Sequence, residues 1–189
     1  MEHDQLIARY FPEAQAEIRA YANFLTTAGI ERGLIGPREG DRIWDRHIFN
    51  CLFVTTLLPN GATLIDIGSG AGLPGVVIAL ARPDLKVTLV EPLERRVEFL
   101  REATAGTSIE VIRGRSQDIK ASADFVTARA VAPLEKLWKM SRHLLKPSGA
   151  LLAMKGESAL REMEALPQAK LHEIELEGIG LGRVVEVLR

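Results

Sequence analysis

From residue 63 the chain alternates short runs of aliphatic and β-branched residues with stretches of helical periodicity, and this restricts it to a parallel sheet joined by crossover helices. Strands are predicted at Thr63–Ile67, Lys86–Val90, Ile109–Ile112, Asp124–Thr127 and Ala150–Met154. Between them lie helices over Gly75–Ala81, stopped by Pro83, over Glu94–Ala103, with Leu93, Val97 and Leu100 on one face, and over Pro133–Leu145, stopped by Pro147. After a helix near Ser158–Glu164 come two more strands, Leu171–Glu177 and Arg183–Leu188. Their link, Gly178–Gly182, is too short for a parallel crossover, which needs about a dozen residues, so they form an antiparallel hairpin that closes the sheet.

Upstream of the alternating region the texture is helical. From Glu13, Ile18, Tyr21, Ala22 and Leu25 form one buried stripe, and Gly29 ends the helix soon after. A loop with Gly33, Gly36, Pro37 and Gly40 leads to a second helix from Asp41, carrying Trp44, Ile48, Cys51 and Leu52 and ending before Pro59. The expectation is an α/β fold with a mostly parallel seven-stranded sheet, residues 1–60 forming a helical extension packed on a main domain of residues 61–189. A length of 189 residues, 47% hydrophobic, suffices for one sizeable core.

No run reaches the roughly 20 apolar residues of a membrane span, and Glu2 and Asp4 do not suit a secretory signal, so a cytoplasmic protein without a membrane partner is expected. Cys51 is the sole cysteine and falls on an apolar stripe, which reads as core packing. His3, His143 and His172 lack metal-ligand spacing, so no metal is expected. A net charge of −1 does not announce a nucleic-acid binder, and any basic patch must be local. Arg32, Arg38, Arg42, Arg46 and His47 make one such group, and Lys136, Lys139, Arg142, His143 and Lys146 another. Runs of this kind ordinarily serve as solvated faces.

The ligand address is Leu64–Gly75, where a strand runs through Asp66 into Gly68-Ser69-Gly70-Ala71-Gly72-Leu73-Pro74-Gly75. Glycines allow close approach of a ligand to the backbone, and a helix opening near Pro74 offers free amides. Gly70 to Gly75 fits the dinucleotide pattern G-x-G-x-x-G, and Glu91 ends the second strand where a ribose-binding acid is expected. Asp66 argues against a pyrophosphate, because a carboxylate about 4 Å from a phosphate costs on the order of 1 to 4 kcal/mol. Pro74 also removes an amide donor, and the terminal hairpin interrupts a doubly wound second half. The same residues suit S-adenosylmethionine, whose ammonium and sulfonium are cationic: Asp66 attracts, Gly68, Gly70 and Gly72 admit the methionine moiety, and Glu91 accepts from ribose hydroxyls. Two plainer readings stay open, with Asp66 capping the turn and Glu91 capping the helix begun near Pro92. The fold expected is therefore a Rossmann-like class I S-adenosylmethionine-dependent methyltransferase.

Several linked motifs carry a closer likeness. They are Trp44-x-Arg46-His47-Ile48, the stretch from Asp66 to Gly75, Glu91-Pro92-Leu93-x-Arg95-Arg96-x-x-Phe99-Leu100, Gly114-Arg115, Ala128-Arg129-Ala130 and Lys155-Gly156. Together they span most of the chain, which resembles the bacterial small-subunit ribosomal RNA guanine-N7 methyltransferases, also known as glucose-inhibited division protein B. The resemblance implies methyl transfer to N7 of guanine 527 in the 530 loop of 16S ribosomal RNA, presented free, in the 30S subunit or in an assembly intermediate, with no obligate protein partner. By motif, Gly68 and Leu73 would contact the cofactor, Ser116 and Gln117 its adenine, and Arg129 the methyl-transfer pocket. Lys155 would reach RNA phosphate or the guanine, and Arg46 and His47 would roof the RNA site, with a capping or surface role for His47 also open. The chain departs from the family where Gln117 stands in place of a frequent Glu, Arg183-Val184 in place of Arg-His, and Asn50-Cys51 in place of Asp-Ser.

The residues suit that chemistry. Guanine N7 carries an in-plane lone pair, so no general base is required and alignment supplies the rate. Thr127–Pro133 lacks both the Asn/Asp-Pro-Pro-aromatic signature of amino methylation and the Pro-Cys of carbon-5 methylation. Arg129 offers a guanidinium fork to guanine O6 or a phosphate, or else an ion pair to an acidic neighbour, and Lys155 reads either as functional or as a solvated surface residue. Two alternatives stand beside the ribosomal enzyme: a small-molecule methyltransferase, and a non-catalytic assembly factor that binds RNA.

Overall fold

In the computed structural model, which describes residues 2–156 and 159–189, seven strands form one sheet in the order β3-β2-β1-β4-β5-β7-β6. Strands β1 (Thr63–Ile67), β2 (Lys86–Glu91), β3 (Glu110–Arg113), β4 (Ala123–Arg129) and β5 (Leu145–Met154) pair in parallel. β7 (Gly180–Leu188) runs antiparallel both to β5 and to β6 (Ala169–Leu176). The seven-stranded, mostly parallel sheet with a terminal hairpin is thus present, and its departures from the sequence reading lie at element ends.

The departures have local causes. The helix expected to reach Leu145 stops earlier, and β5 begins at Leu145, opposite Ala123, with a register break before Phe125. Pro147 and Gly149 occupy the irregular stretch, where proline is tolerated, and a Cβ on Gly149 would lie 2.7 Å from the Asp124 carbonyl oxygen. β7 starts at Gly180 rather than Arg183, because Gly182 packs under Phe53: a Cβ there would lie 2.2 Å from the ring. The glycine that lowers strand propensity in sequence is the residue the packing demands.

Helices α1 (His3–Tyr10) and α2 (Gln15–Phe24) precede the sheet, with α2 extended by a wider turn over Leu25–Gly29. The sequence reading began at Glu13 and missed α1, whose buried Leu6 and Ile7 form too short a stripe to register as a period. The predicted helix from Asp41 is a helical run over residues 40–57 (α3) of changing pitch, tight at Gly40–Arg42, wide at Ile43–Ile48 and tight again at Leu52–Leu57. The remaining helices are α4 (Gly75–Ala81), α5 (Glu94–Ala103), α6 (Leu134–Ser141) and α7 (Ala159–Met163). Ser158, the expected start of α7, lies outside the described residues. No helix among the described residues is long and apolar enough to cross a membrane.

Strand alternation divides the core. Leu64, Val87 and Leu89 face a cluster shared with α1 to α5, whereas Ile65, Ile67, Val90 and Val126 face a cluster built with α6 and α7. Asp66, in register with Leu64, therefore points to the side covered by the leading helices, and it is fully buried.

Candidate functional site

The turn after β1 is fixed by the neighbouring strand. The amides of Gly68 and Ser69 donate to the Val90 carbonyl at 2.8 and 3.2 Å, and the Gly70 amide donates to Glu91 Oε2 at 2.9 Å. Gly68 and Gly70 have φ of +67° and +59°, in the left-handed region that favours glycine. Gly68 also lies against Val131, which a Cβ would approach to 2.9 Å.

Two cavities meet at this turn and a third adjoins them, at the carboxyl ends of the strands, where ligands of open α/β sheets bind. The first, ≈ 600 Å³, is walled by Gly68, Gly70, Leu73, Glu91, His47 and Arg129. The second, ≈ 640 Å³, shares Gly68, Pro92 and Val131 with it and adds Ser116, Gln117 and Met140. The third, ≈ 630 Å³, shares Arg129 and Ala130 with the first and is completed by Asn50, Met154, Lys155 and Arg183. The second cavity is the most apolar in character, with Ile67, Val90 and Met140 in its wall, and suits a flat heterocycle.

Asp66 sits behind the turn and not in a cavity wall. Its Oδ2 accepts from the Gly75 amide at 3.0 Å, in the capping role that the sequence left open, while Oδ1 is buried without a hydrogen-bond partner. Burial raises its pKa to about 7, opposed by the bonds from Gly75 and Ser69 and reinforced by Glu91. Gly72 packs closely, with φ of +99°: a Cβ there would lie 2.6 Å from Val76 and 2.8 Å from the Tyr21 hydroxyl. Glu91 combines both of its readings: it lines the first cavity, holds the Gly70 amide, and accepts from the Leu93 amide at 3.0 Å at the start of α5. Each carboxylate oxygen keeps a second lone pair for a ribose hydroxyl. An orphaned carboxylate oxygen behind a glycine cradle, with Glu91 beside it, fits the ammonium and ribose of S-adenosylmethionine.

The basic residues are more committed than the sequence suggested. Among the described residues Arg129 pairs with no acid; it donates to the carbonyls of His47 and Arg46 at 3.2 and 3.1 Å and to His47 Nδ1 at 3.1 Å, pinning α3 to the end of β4. His47 lines the first cavity, with its side chain 14% exposed. It donates through Nε2 to Glu39 at 2.8 Å, and its Nδ1 faces Arg129 as an acceptor. Burial lowers the His47 pKa, against the opposing pull of Glu39, and the carboxyl of Glu39 is lowered in turn by that bond. Arg46 is exposed and pairs with Glu39 at 3.4 Å. Lys155 lines the third cavity with a side chain 10% exposed, pairs with Glu162 at 2.7 Å and donates to the Ala132 carbonyl at 2.7 Å. Cys51 is buried and bonded to the His47 carbonyl.

Tyr21, Glu39 and Glu162 are site-supporting residues that sequence reasoning missed. Tyr21 donates to the Ala71 carbonyl at 2.8 Å across the fold, and burial raises its pKa. Their partners lie at least seven residues away along the chain, and no local period marks such pairs.

A family model described as rRNA small subunit methyltransferase G matches residues 14–178. A ribosomal RNA small subunit methyltransferase G of Mycolicibacterium gilvum (strain PYR-GCK) is 50% identical over 184 residues, covering 92% of this chain and 81% of that one. One of the same name from Salinispora tropica is 53% identical over 156 residues, covering 76% of this chain and 64% of that one, so the chain spans just under two thirds of this relative's length. Among solved structures, TrmN from Thermus thermophilus superposes with a TM-score of 0.55 at 22% identity, covering 75% of this chain and 48% of that one, a likeness of fold alone.

Proposed function

The chain belongs to the ribosomal RNA small subunit methyltransferase G family, and on that premise we propose that it transfers a methyl group from S-adenosylmethionine to N7 of guanine 527 in 16S ribosomal RNA. The observation that supports the reading is that two adjoining cavities at the glycine turn meet a third cavity across a wall of Arg129 and Ala130. A 16S RNA substrate, free, in the 30S subunit or in an assembly intermediate, would set the reaction in the cytoplasm.

S-adenosylmethionine supplies an electrophilic methyl group when bound. Gly68, Gly70 and Leu73 would seat its methionine end, Glu91 its ribose, and Ser116 and Gln117 its adenine, with the buried Asp66 carboxylate supplying negative potential from behind the turn. The third cavity, beside Asn50, Arg183 and Met154, would take the guanine. Guanine N7 needs no deprotonation, so the protein's part is to hold the two reactants in line and keep water out, an effect worth several kcal/mol. Arg129 would serve by fixing the partition between the reactants, since its fork already holds α3.

The test is reduction and aniline cleavage at guanine 527 in cells lacking and then regaining the protein. Cleavage is expected only where the protein is present, and equal cleavage in both strains would sink the assignment.

A further inference from the structure

Ala130 is the one residue other than glycine with a positive φ among the described residues, at +55°. It follows directly on β4, whose last residue Arg129 is in register with Met154 of β5. Lys155 comes next after Met154, so the strained turn and the lysine leave the sheet from the same rung. The lysine reaches over to the far end of the turn, donating to the Ala132 carbonyl at 2.7 Å and pairing with Glu162 at 2.7 Å. Glu162, from α7, in turn accepts from the amide of Leu134 at 2.7 Å, the first residue of α6. One ion pair thus holds both sides of Pro133.

We propose that Lys155 and Glu162 are positioning residues, a clamp that keeps the Ala130 turn in its left-handed conformation as the wall between the methyl-donor and methyl-acceptor cavities. The inference rests on the function proposed above and names what regulates the shape of that site. A left-handed alanine persists only where its surroundings over-determine it, and strain of this kind gathers at functional sites. Here the surroundings are a β4 rung on one side and a bonded lysine on the other. The side chains of Lys155 and Glu162 are 10% and 21% exposed, and the carboxylate offsets the ammonium, which leaves Lys155 little attraction for RNA phosphate. Ala130 lies in the walls of both the first and third cavities, so relaxation of its backbone would reshape the donor and acceptor sides together.

The experiment compares the full-length protein with Lys155→Met, Glu162→Ala and Ala130→Gly, and with Ala130→Gly in the Lys155→Met background. The ¹³C chemical shifts of residue 130, which report the sign of φ, are measured without RNA or cofactor. Methyl transfer to 16S RNA is measured in parallel. In Lys155→Met and Glu162→Ala the Ala130 shifts are expected to move toward negative-φ values, and kcat to fall about tenfold or more while KM for RNA stays within about twofold. Adding Ala130→Gly to Lys155→Met is expected to recover about threefold or more of kcat, because glycine takes a left-handed conformation without steric cost. Unchanged shifts in either folded variant, or a raised KM that glycine fails to rescue, would overturn the clamp and make Lys155 an RNA contact. Should the wild-type protein methylate no 16S RNA, the proposed function fails, and the chemical shifts still decide the clamp.

Discussion

Replacing Asp66 by asparagine is expected to stabilise the protein at alkaline pH while weakening cofactor binding. The carboxyl group is fully buried, its folded pKa is about 7 against an ordinary 3.8, and burial is the leading cause. Between those values the native state holds more proton than the unfolded chain, so this group's stability is fully present below about pH 4 and is lost as pH rises through about 7. At about 1.36 kcal/mol for each pH unit between the two values, the full loss is about 4 kcal/mol. From about pH 5.5 to about pH 8.5, the variant's stability relative to wild type is therefore expected to improve by about 2 kcal/mol. Urea titration at the two pH values reads this as a shift of about 1 M in the difference between midpoints, with unchanged slopes. Asparagine keeps an oxygen for the Gly75 amide, so the helix start survives the exchange. Calorimetry of S-adenosylmethionine binding is expected to give a loss of about tenfold or more for the same variant, since the carboxylate's potential behind the turn is gone. A pH-independent stability difference, or one that narrows with rising pH, would refute the reasoning about burial.

Three further outcomes test other parts of the site. In an NMR titration His47 should protonate below its ordinary value of 6.5, and Glu39→Gln should lower it further by removing the group that pulls it up; a value at or above 6.5 would contradict its burial. The sign for stability follows, since a lowered folded value costs stability as pH falls below 6.5 and puts a second donor against Arg129. Gly75→Ala should lose about 1–3 kcal/mol in thermal unfolding, because the new Cβ would lie 2.3 Å from Leu89 and 2.7 Å from Asp66 Oδ2, and an unchanged melting temperature would count against that packing. Glu91→Gln should weaken S-adenosylmethionine binding by about tenfold, since it replaces a charged acceptor that also holds the Gly70 amide, and calorimetry showing equal affinity would remove Glu91 from the cofactor site.

The parts of the fold legible in sequence were those set by local rules. Strand and helix periods placed all seven strands, the shortness of the last link gave the antiparallel hairpin, and the glycine turn marked the ligand address. Element ends were less legible where packing overrode propensity, as at Gly182 under Phe53 and in the irregular start of β5 opposite Ala123. Motifs in the sequence nominate the candidate site residues, but not the partners those side chains meet. Arg129, Lys155 and His47 read as basic groups awaiting RNA, yet each is engaged by a partner distant in sequence: the carbonyls of α3, Glu162 and the Ala132 carbonyl, and Glu39.

What the sequence determined by itself was a mostly parallel sheet with crossover helices, an antiparallel hairpin at its end and a glycine-dense turn after the first strand. These follow from nearest-neighbour stereochemistry and from periods of two and 3.6 residues, which operate within a few positions of the chain. Tertiary structure alone decided that Asp66 is buried under the leading helices, that Glu91 braces the turn it faces, and that Arg129 and Lys155 are spent on backbone carbonyls and a carboxylate. A buried polar group must find a partner or pay for its desolvation, and which partner it finds depends on segments brought together only when the core closes.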